Sequence, residues 1–285
     1  MNETNVQRNY KDTVFRMLFK ERENLLSLYN ALNGTAYTDV DSLEITTLEN
    51  AVYMNYKNGI SFVFDFELLL YEHQSTINPN MPLRDLLYVT RVLQGIIRGE
   101  NLYSKMIVNI PTPKFVVFYN GTDFQPEQQV LRLSDAFEKK QEQLALELIV
   151  VVYNINLGHN QKLLDACRLL KEYAQYVEQV RIFAKRMSFP EAVEKAVDYC
   201  IGNGILSDFL SKNRAEAIAM SIFEYDEEKH MKSEREEWRE IGREEGRDDL
   251  ARILKQLMDS GKTDELKRAL SDQKYREQLY REHES

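Results

Sequence analysis

The stretch SFVFDFELLLYEHQSTINPNMPLR, residues 61–84, determines how the rest of the chain is interpreted. One apolar, strand-like run ends at Asp65, and a second leads directly into Glu72-His73-Gln74. Because side chains alternate along a strand, Glu72 and Gln74 project from one side and His73 from the other. Two neighbouring strands that end in Asp and Glu-x-Gln are expected to place two carboxylates and an amide at one edge of a sheet. Such a group predicts a site for a divalent cation with oxygen ligands.

The predicted metal ligands are Asp65 and Glu72, and with Gln74 they form the predicted catalytic set. The backbone carbonyl of His73, between the two polar side chains, is a further candidate oxygen ligand for Mg²⁺ or Mn²⁺. The ring of His73 is predicted to pack or to hydrogen-bond on the opposite face of the strand. For one Asp and one Glu taken alone, two ordinary acids at a sheet edge remain the simpler interpretation.

Longer phrases in the sequence carry a family resemblance. They are YKDTVFRMLF at 10–19, LYEHQSTINPNMPLRDLLY at 70–88 and PTPKFVVFYNGT at 111–122. In this order, and with Asp65 followed after six residues by Glu72-x-Gln74, they resemble the recombination-promoting nuclease (Rpn) family, also labelled transposases. That family belongs to the PD-(D/E)XK nuclease superfamily. The resemblance covers about residues 8–230.

The resemblance implies an α/β fold of the restriction-endonuclease-like kind, with a mixed sheet flanked by helices and followed by an all-helical C-terminal region. It implies a divalent-metal-dependent endonuclease that hydrolyses phosphodiester bonds of double-stranded DNA. The implied setting is the bacterial cytoplasm, and the implied role is recombination, transposition or defence. The alternative is a catalytically inactive DNA- or protein-binding module of the same fold.

The resemblance bears on the roles of Asp12 and Gln74. Asp12, in the first predicted helix, is implied to approach the metal site as an auxiliary ligand; alternatively it is an acid that favours a helix N-terminus. Gln74 stands where the wider superfamily has Lys. It supplies no positive charge, but its amide can orient the attacking water or bind phosphate.

Apolar periodicity and turn residues predict the order of the helices and strands. The predicted helices are 10–33, 82–98, Lys162–Arg186, Glu191–Ile201, Ile205–Leu210, Arg214–Phe223 and 263–281. The predicted strands are Leu48–Tyr56, Ile60–Phe66, Leu68–Ser75, Lys114–Tyr119, Gln129–Leu133 and Leu144–Asn154. The strand–helix–strand order over 68–119 favours a parallel crossover.

Three regions follow from this order. Residues 1–157 are predicted to form the nuclease-like sheet domain, 158–225 a helical region and 226–285 a charged helical tail. In the tail, Trp238, Ile241 and Leu250 form a candidate contact stripe on a glycine-interrupted helix. The C-terminal helices are the candidate interface of a homo-oligomer.

The helix predicted over 82–98 supplies the candidate DNA contacts. Arg84, Tyr88 and Arg91 share one face by their spacing, and this face is expected to lie opposite Leu83 and Leu87. The simple interpretation is a solvated stripe. The functional interpretation has Arg84 and Arg91 binding phosphate oxygens beside the metal site.

Composition limits these hypotheses. The net charge of −9 argues against broad, non-specific coating of DNA, although a local basic face and bound cations can offset it at one site. No apolar run approaches the ~18–20 residues of a membrane span, so no membrane is expected as a partner. Cys167 and Cys200 are predicted to be buried free thiols in a reducing cytoplasm.

Overall fold

A computed structural model describes residues 14–46, 59–222, 254–255 and 257–272, together with residues 275 and 279. Asp12 and the predicted strand Leu48–Tyr56 lie outside the described residues. The predicted contact stripe of the tail also lies outside them; it comprises Trp238, Ile241 and Leu250. The chain divides into two compact units, Met1–Tyr225 and Asp226–Ser285.

The described part of the first unit contains a mixed six-stranded sheet flanked by helices. The strands are β1 Glu44–Ile45, β2 Gly59–Phe64, β3 Glu67–Gln74, β4 Thr112–Tyr119, β5 Gln128–Arg132 and β6 Ile149–Asn154. Their order across the sheet is β1-β2-β3-β4-β6-β5. The helices are α1 Val14–Phe19, α2 Arg22–Asn33, α3 Met81–Ile96, α4 Gln161–Ala166, α5 Arg168–Ala184, α6 Phe189–Gly202, α7 Ser207–Lys212 and α8 over 214–222.

In the second unit, α9 spans Thr263–Ser271 and accounts for the first part of the helix predicted over 263–281. Leu257, Ala269 and Leu279 form a small buried cluster. The guanidinium of Arg268 lies 4.4 Å from the ring centre of Tyr275, a cation–π distance.

The chain reverses between β2 and β3 in a two-residue turn at Asp65-Phe66. Both residues have positive φ, 49° and 60°, which is the signature of a type I′ hairpin turn. The predicted strand Ile60–Phe66 is therefore too long by these two residues. Phe66 lies at the tip of the turn, which leaves it 87% exposed.

Strand β3 lies at the centre of the first unit, antiparallel to β2 and parallel to β4. The predicted parallel crossover is thus confirmed, and α3 is its connecting helix. We call the side of the sheet that carries Glu72 and Gln74 the α3 face, because α3 packs on it. The opposite side, which carries Tyr71 and His73, packs against α1, α2 and α5, and we call it the α1 face.

Helix α3 is rotated relative to its predicted orientation. Its buried residues are Met81, Pro82, Asp85, Tyr88, Val89 and Val92. Leu83 and Leu87, which were expected to point inward, are exposed. Polar and apolar residues are mixed along this helix, so two different faces of it could have been the buried one. Contact with the sheet selects the face that is observed.

Three other element predictions change in detail. The helix predicted over 10–33 is observed as α1 and α2, and Gly34 ends α2 in the left-handed conformation. The helix predicted over Lys162–Arg186 is interrupted at Cys167, whose backbone is extended. Strand β6 begins at Ile149 instead of Leu144. A capping box of Ser188 and Glu191 begins α6.

The helices after residue 157 share one hydrophobic core with α1, α2 and the α1 face. Residues from both sides of the predicted boundary at 157, such as Phe118 and Leu164, belong to this core. Cys167 and Cys200 are buried in it as free thiols, as predicted. Among the described helices, none is both long and apolar enough to cross a membrane.

Replacing Phe66 by Gly is expected to stabilise the fold by about 1 kcal/mol, because a left-handed backbone costs a residue with a Cβ about that much. Little packing is lost, since Phe66 is almost fully exposed. Urea denaturation of the two proteins measures the difference.

The matched control is Phe124→Gly. Phe124 is also almost fully exposed, at 92%, but its backbone φ is not positive. That control is expected to be neutral or destabilising. Equal effects of the two substitutions would contradict the strain at Phe66.

Candidate functional site

Glu72 lies near the end of β3, with 4% of its surface exposed. On the α3 face, the Oε1 atom of Glu72 accepts a hydrogen bond from the Nε2 of Gln74 at 2.8 Å. The same oxygen accepts one from the Nη2 of Arg84, on α3, at 3.2 Å. The β2 residue opposite Glu72 is Gly59, which presents no side chain. The structure therefore brings together three of the predicted site residues.

Two oxygens in this group have no hydrogen-bond partner among the described residues. They are the Oε2 atom of Glu72 and the Oε1 atom of Gln74, and both are buried. An unsatisfied buried polar atom costs about 1–3 kcal/mol, so native structures rarely leave one without a role. Two acceptor oxygens on alternate residues of one strand require a donor or a cation.

Burial raises the pKa of Glu72 above its usual value. The Arg84 guanidinium lowers it, as do the hydrogen bonds from Gln74 and Arg84, but they offset only part of the effect of burial. The carboxylate is thus incompletely compensated by its neighbours. A further positive charge beside it would be stabilising.

The His73 ring points away from this group, as predicted. Its Nε2 atom lies 3.0 Å from the Tyr173 hydroxyl oxygen, and its ring stacks on Phe15 with the centres 5.2 Å apart. Burial, with a smaller contribution from the Arg181 charge, lowers the pKa of His73 to about 3. The ring is therefore a neutral core group at neutral pH.

The backbone around His73 is anchored to the neighbouring strand. The carbonyl of Gln74 accepts a hydrogen bond from the Asn120 amide at 2.9 Å. Since successive carbonyls of a strand point to opposite neighbours, the His73 carbonyl faces the β2 side. The candidate ligand role of this carbonyl stays a prediction.

Asp65 does not belong to this group. It lies in the turn before β3, whereas Glu72 lies near the far end of that strand. From Glu67 to Glu72 the strand advances about 17 Å, and a cation binds its oxygens at about 2–2.6 Å. The expectation of two acids at one sheet edge fails because β2 and β3 are antiparallel, so the end of β2 meets the start of β3.

The carboxylate of Asp65 has a structural partner. Its Oδ2 atom accepts a hydrogen bond from the Tyr37 hydroxyl at 2.8 Å, which ties the turn to the segment after α2. Glu67, the first residue of β3, accepts a hydrogen bond from Tyr29 and forms an ion pair with Lys114.

The two predicted DNA-binding arginines differ in environment. Arg84 is half-buried against Glu72, and Arg91 is exposed. Tyr88, predicted on the same solvated stripe, is buried, and its hydroxyl oxygen lies 3.1 Å from the Ser61 Oγ. Contact with phosphate stays a prediction for both arginines.

One buried acid of α3 was missed from the sequence. Asp85 is 2% exposed and lies on the buried stripe of α3. The signal was its spacing, four residues after Met81 and three before Tyr88, but the exposed Leu83 and Leu87 suggested a different phase. Within the described residues, no group of three or more His, Cys, Asp or Glu side chains is arranged to hold a metal.

Comparison of the chain with known proteins finds no matching family model, no matching curated protein and no matching solved structure.

Acid should destabilise the protein through His73. Above pH 6.5 both the folded and the unfolded states carry neutral His73. Between pH 6.5 and about 3 only the unfolded state takes up the proton, so stability falls by up to about 1.4 kcal/mol per pH unit. Urea denaturation from pH 7 to 4.5 should show a shallower dependence in His73→Gln.

Identical slopes in the unsubstituted protein and in His73→Gln would contradict a neutral, buried His73.

Replacing Arg84 by Met is expected to lower the free energy of unfolding by about 2 kcal/mol, because Glu72 then keeps a buried charge without its cation. Adding Glu72→Gln should recover part of this loss. Arg91→Met, at an exposed position of the same helix, should stay within about 0.5 kcal/mol of the unsubstituted protein. Equal losses for the two arginine variants in urea denaturation would count against the buried pair.

Proposed function

We propose that this chain is a restriction-endonuclease-like protein that hydrolyses phosphodiester bonds of double-stranded DNA with Mg²⁺ or Mn²⁺. The observation that supports the proposal is the pair of unpartnered, buried oxygens on Glu72 and Gln74, beside the Arg84 guanidinium. The mixed sheet agrees with this fold class, since an antiparallel hairpin is followed by a helical crossover to a parallel strand.

The donor set fits a hard cation in kind. A carboxylate oxygen and an amide oxygen are ligands that Mg²⁺ and Mn²⁺ accept, and both are held on one rigid strand. When bound, such a cation polarises a phosphoryl oxygen and acidifies a water molecule. The sequence resemblance supports DNA as the substrate and the bacterial cytoplasm as the place.

The residues of this chain have separate roles in the proposal. Glu72 and Gln74 supply ligand oxygens, and Asp65 has no part in it. Arg84 carries a fixed positive charge at the edge of the group, where it can bind a phosphate oxygen and stabilise charge that develops on it. Gln74 also has an N–H that can orient a water molecule once it releases Glu72.

A second candidate function is a binding module of the same fold without turnover. The observation that favours it is Gly59, which leaves the strand position opposite Glu72 without a carboxylate. In this case the Glu72–Arg84 ion pair is a structural contact, and binding to DNA or to a protein does not depend on metal.

The test is cleavage of supercoiled plasmid with Mg²⁺, Mn²⁺ or Ca²⁺, or with a chelator, by the unsubstituted protein, Glu72→Gln and Asp65→Asn. We expect nicking or linearisation with Mg²⁺ or Mn²⁺, at least a hundredfold loss in Glu72→Gln and full activity in Asp65→Asn. The Asp65 variant is the matched control, a carboxylate-to-amide change 17 Å or so along the same hairpin.

Absence of cleavage with every metal, together with DNA gel shifts that are equal for all three proteins, would overturn the hydrolase and leave the binding module. Loss of activity in Asp65→Asn with an intact fold would overturn the assignment of the site to the Glu72 end of β3.

A further inference from the structure

We propose that Asp85 supplies the second carboxylate of the Glu72 site, reaching it from α3 instead of from a strand. The inference rests on the proposed metal-dependent function and deepens it by naming a ligand that the strand motif does not contain. It is carried by the alignment of α3 along β3 and by the two unpartnered oxygens of the site.

Three contacts fix how α3 lies against the sheet. At its start, the Met81 Sδ atom lies 2.8 Å from the Gln74 Nε2. One turn later, Arg84 bonds to Glu72. After one more turn, the Tyr88 hydroxyl lies 3.1 Å from the Ser61 Oγ. Along the strand direction, Met81 therefore lies beside Gln74, Arg84 beside Glu72 and Tyr88 beside Ser61.

These contacts place Asp85 at the level of Glu72. From Met81 to Asp85 the helix advances about 6 Å, and from Gln74 back to Glu72 the strand covers nearly the same length, about 7 Å. Asp85 also belongs to the stripe that faces the sheet, since it is 2% exposed and its helical neighbours Met81 and Tyr88 are buried.

Gly59 makes this arrangement compatible with the sheet. It is paired with Glu72 across the β2–β3 hairpin, and its side of that pair carries no side chain. Helix α3 therefore presents Asp85 beside the position of the α3 face at which β2 has no side chain. The carboxylate from the helix complements the one from the strand.

Charge gives the second reason. Glu72 contributes one negative charge, and the Arg84 guanidinium compensates part of it. A divalent cation in a buried site needs further anionic ligands, because each added carboxylate raises its affinity. Asp85 is the carboxylate that the described part of α3 brings to this level, and Glu72 with Gln74 offers the open oxygens.

The test is direct binding of Mn²⁺, measured by the electron paramagnetic resonance of the free ion, for four full-length proteins. They are the unsubstituted chain, Glu72→Gln, Asp85→Asn and Asp65→Asn, each checked for folding by circular dichroism. We expect Glu72→Gln and Asp85→Asn each to weaken Mn²⁺ binding at least about tenfold, and Asp65→Asn to bind like the unsubstituted protein.

The outcomes separate this inference from the proposed function. Weaker Mn²⁺ binding in Glu72→Gln with unchanged Mn²⁺ affinity in Asp85→Asn would overturn the role of Asp85 but would still support a metal site at Glu72. Absence of Mn²⁺ binding by the unsubstituted chain would overturn both. Should Asp85→Asn fail to fold, Asp85→Glu replaces it, because the longer acid keeps the charge but displaces the ligand oxygens. Unchanged Mn²⁺ affinity in a folded Asp85→Glu protein would also overturn the inference.

Discussion

The pairing of β3, antiparallel to β2 and parallel to β4, is the constraint on which the rest of the first unit depends. A strand enclosed on both edges and covered on both faces must divide its side chains strictly between two environments. Tyr71 and His73 go to the α1 face, where aromatic rings enclose them. Glu72 and Gln74 go to the α3 face, where Arg84 meets them. The adjacent polar residues His73 and Gln74 thus lie in different environments, because strand geometry directs their side chains to opposite faces of the sheet.

Local pattern was sufficient for part of this arrangement. Alternation along a strand separated His73 from Glu72 and Gln74 correctly, since it needs only the period of the backbone. The relative direction of neighbouring strands is not a local property. The prediction that Asp65 lies beside Glu72 was therefore wrong, although Asp65 closely precedes β3 in the sequence. The orientation of α3 was missed for a related reason. Leu83 and Leu87 are exposed although they are more apolar than the buried Asp85 and Tyr88, so only tertiary contact decides which stripe of the helix meets the sheet.

The electrostatics of the α3 face allow both functional hypotheses from one set of contacts. Arg84 compensates Glu72 in part, which is what a purely structural ion pair requires and also what a phosphate-binding edge requires. The two hypotheses differ in the role that they give to the unpartnered oxygen of each side chain, Glu72 Oε2 and Gln74 Oε1. A structural pair has no use for an unpartnered Glu72 Oε2 or Gln74 Oε1, whereas a ligand site needs such atoms free before its cation arrives.

The glycine opposite Glu72 has an evolutionary consequence. Codons for Gly and Asp can differ by a single base, so one point mutation at Gly59 would set a strand carboxylate directly across the ladder from Glu72. The reverse mutation would remove it just as easily. The hairpin would keep its register through either change, because turn and pairing are determined elsewhere. Gain and loss of a strand-borne acid at this position of the hairpin are therefore one mutational step apart.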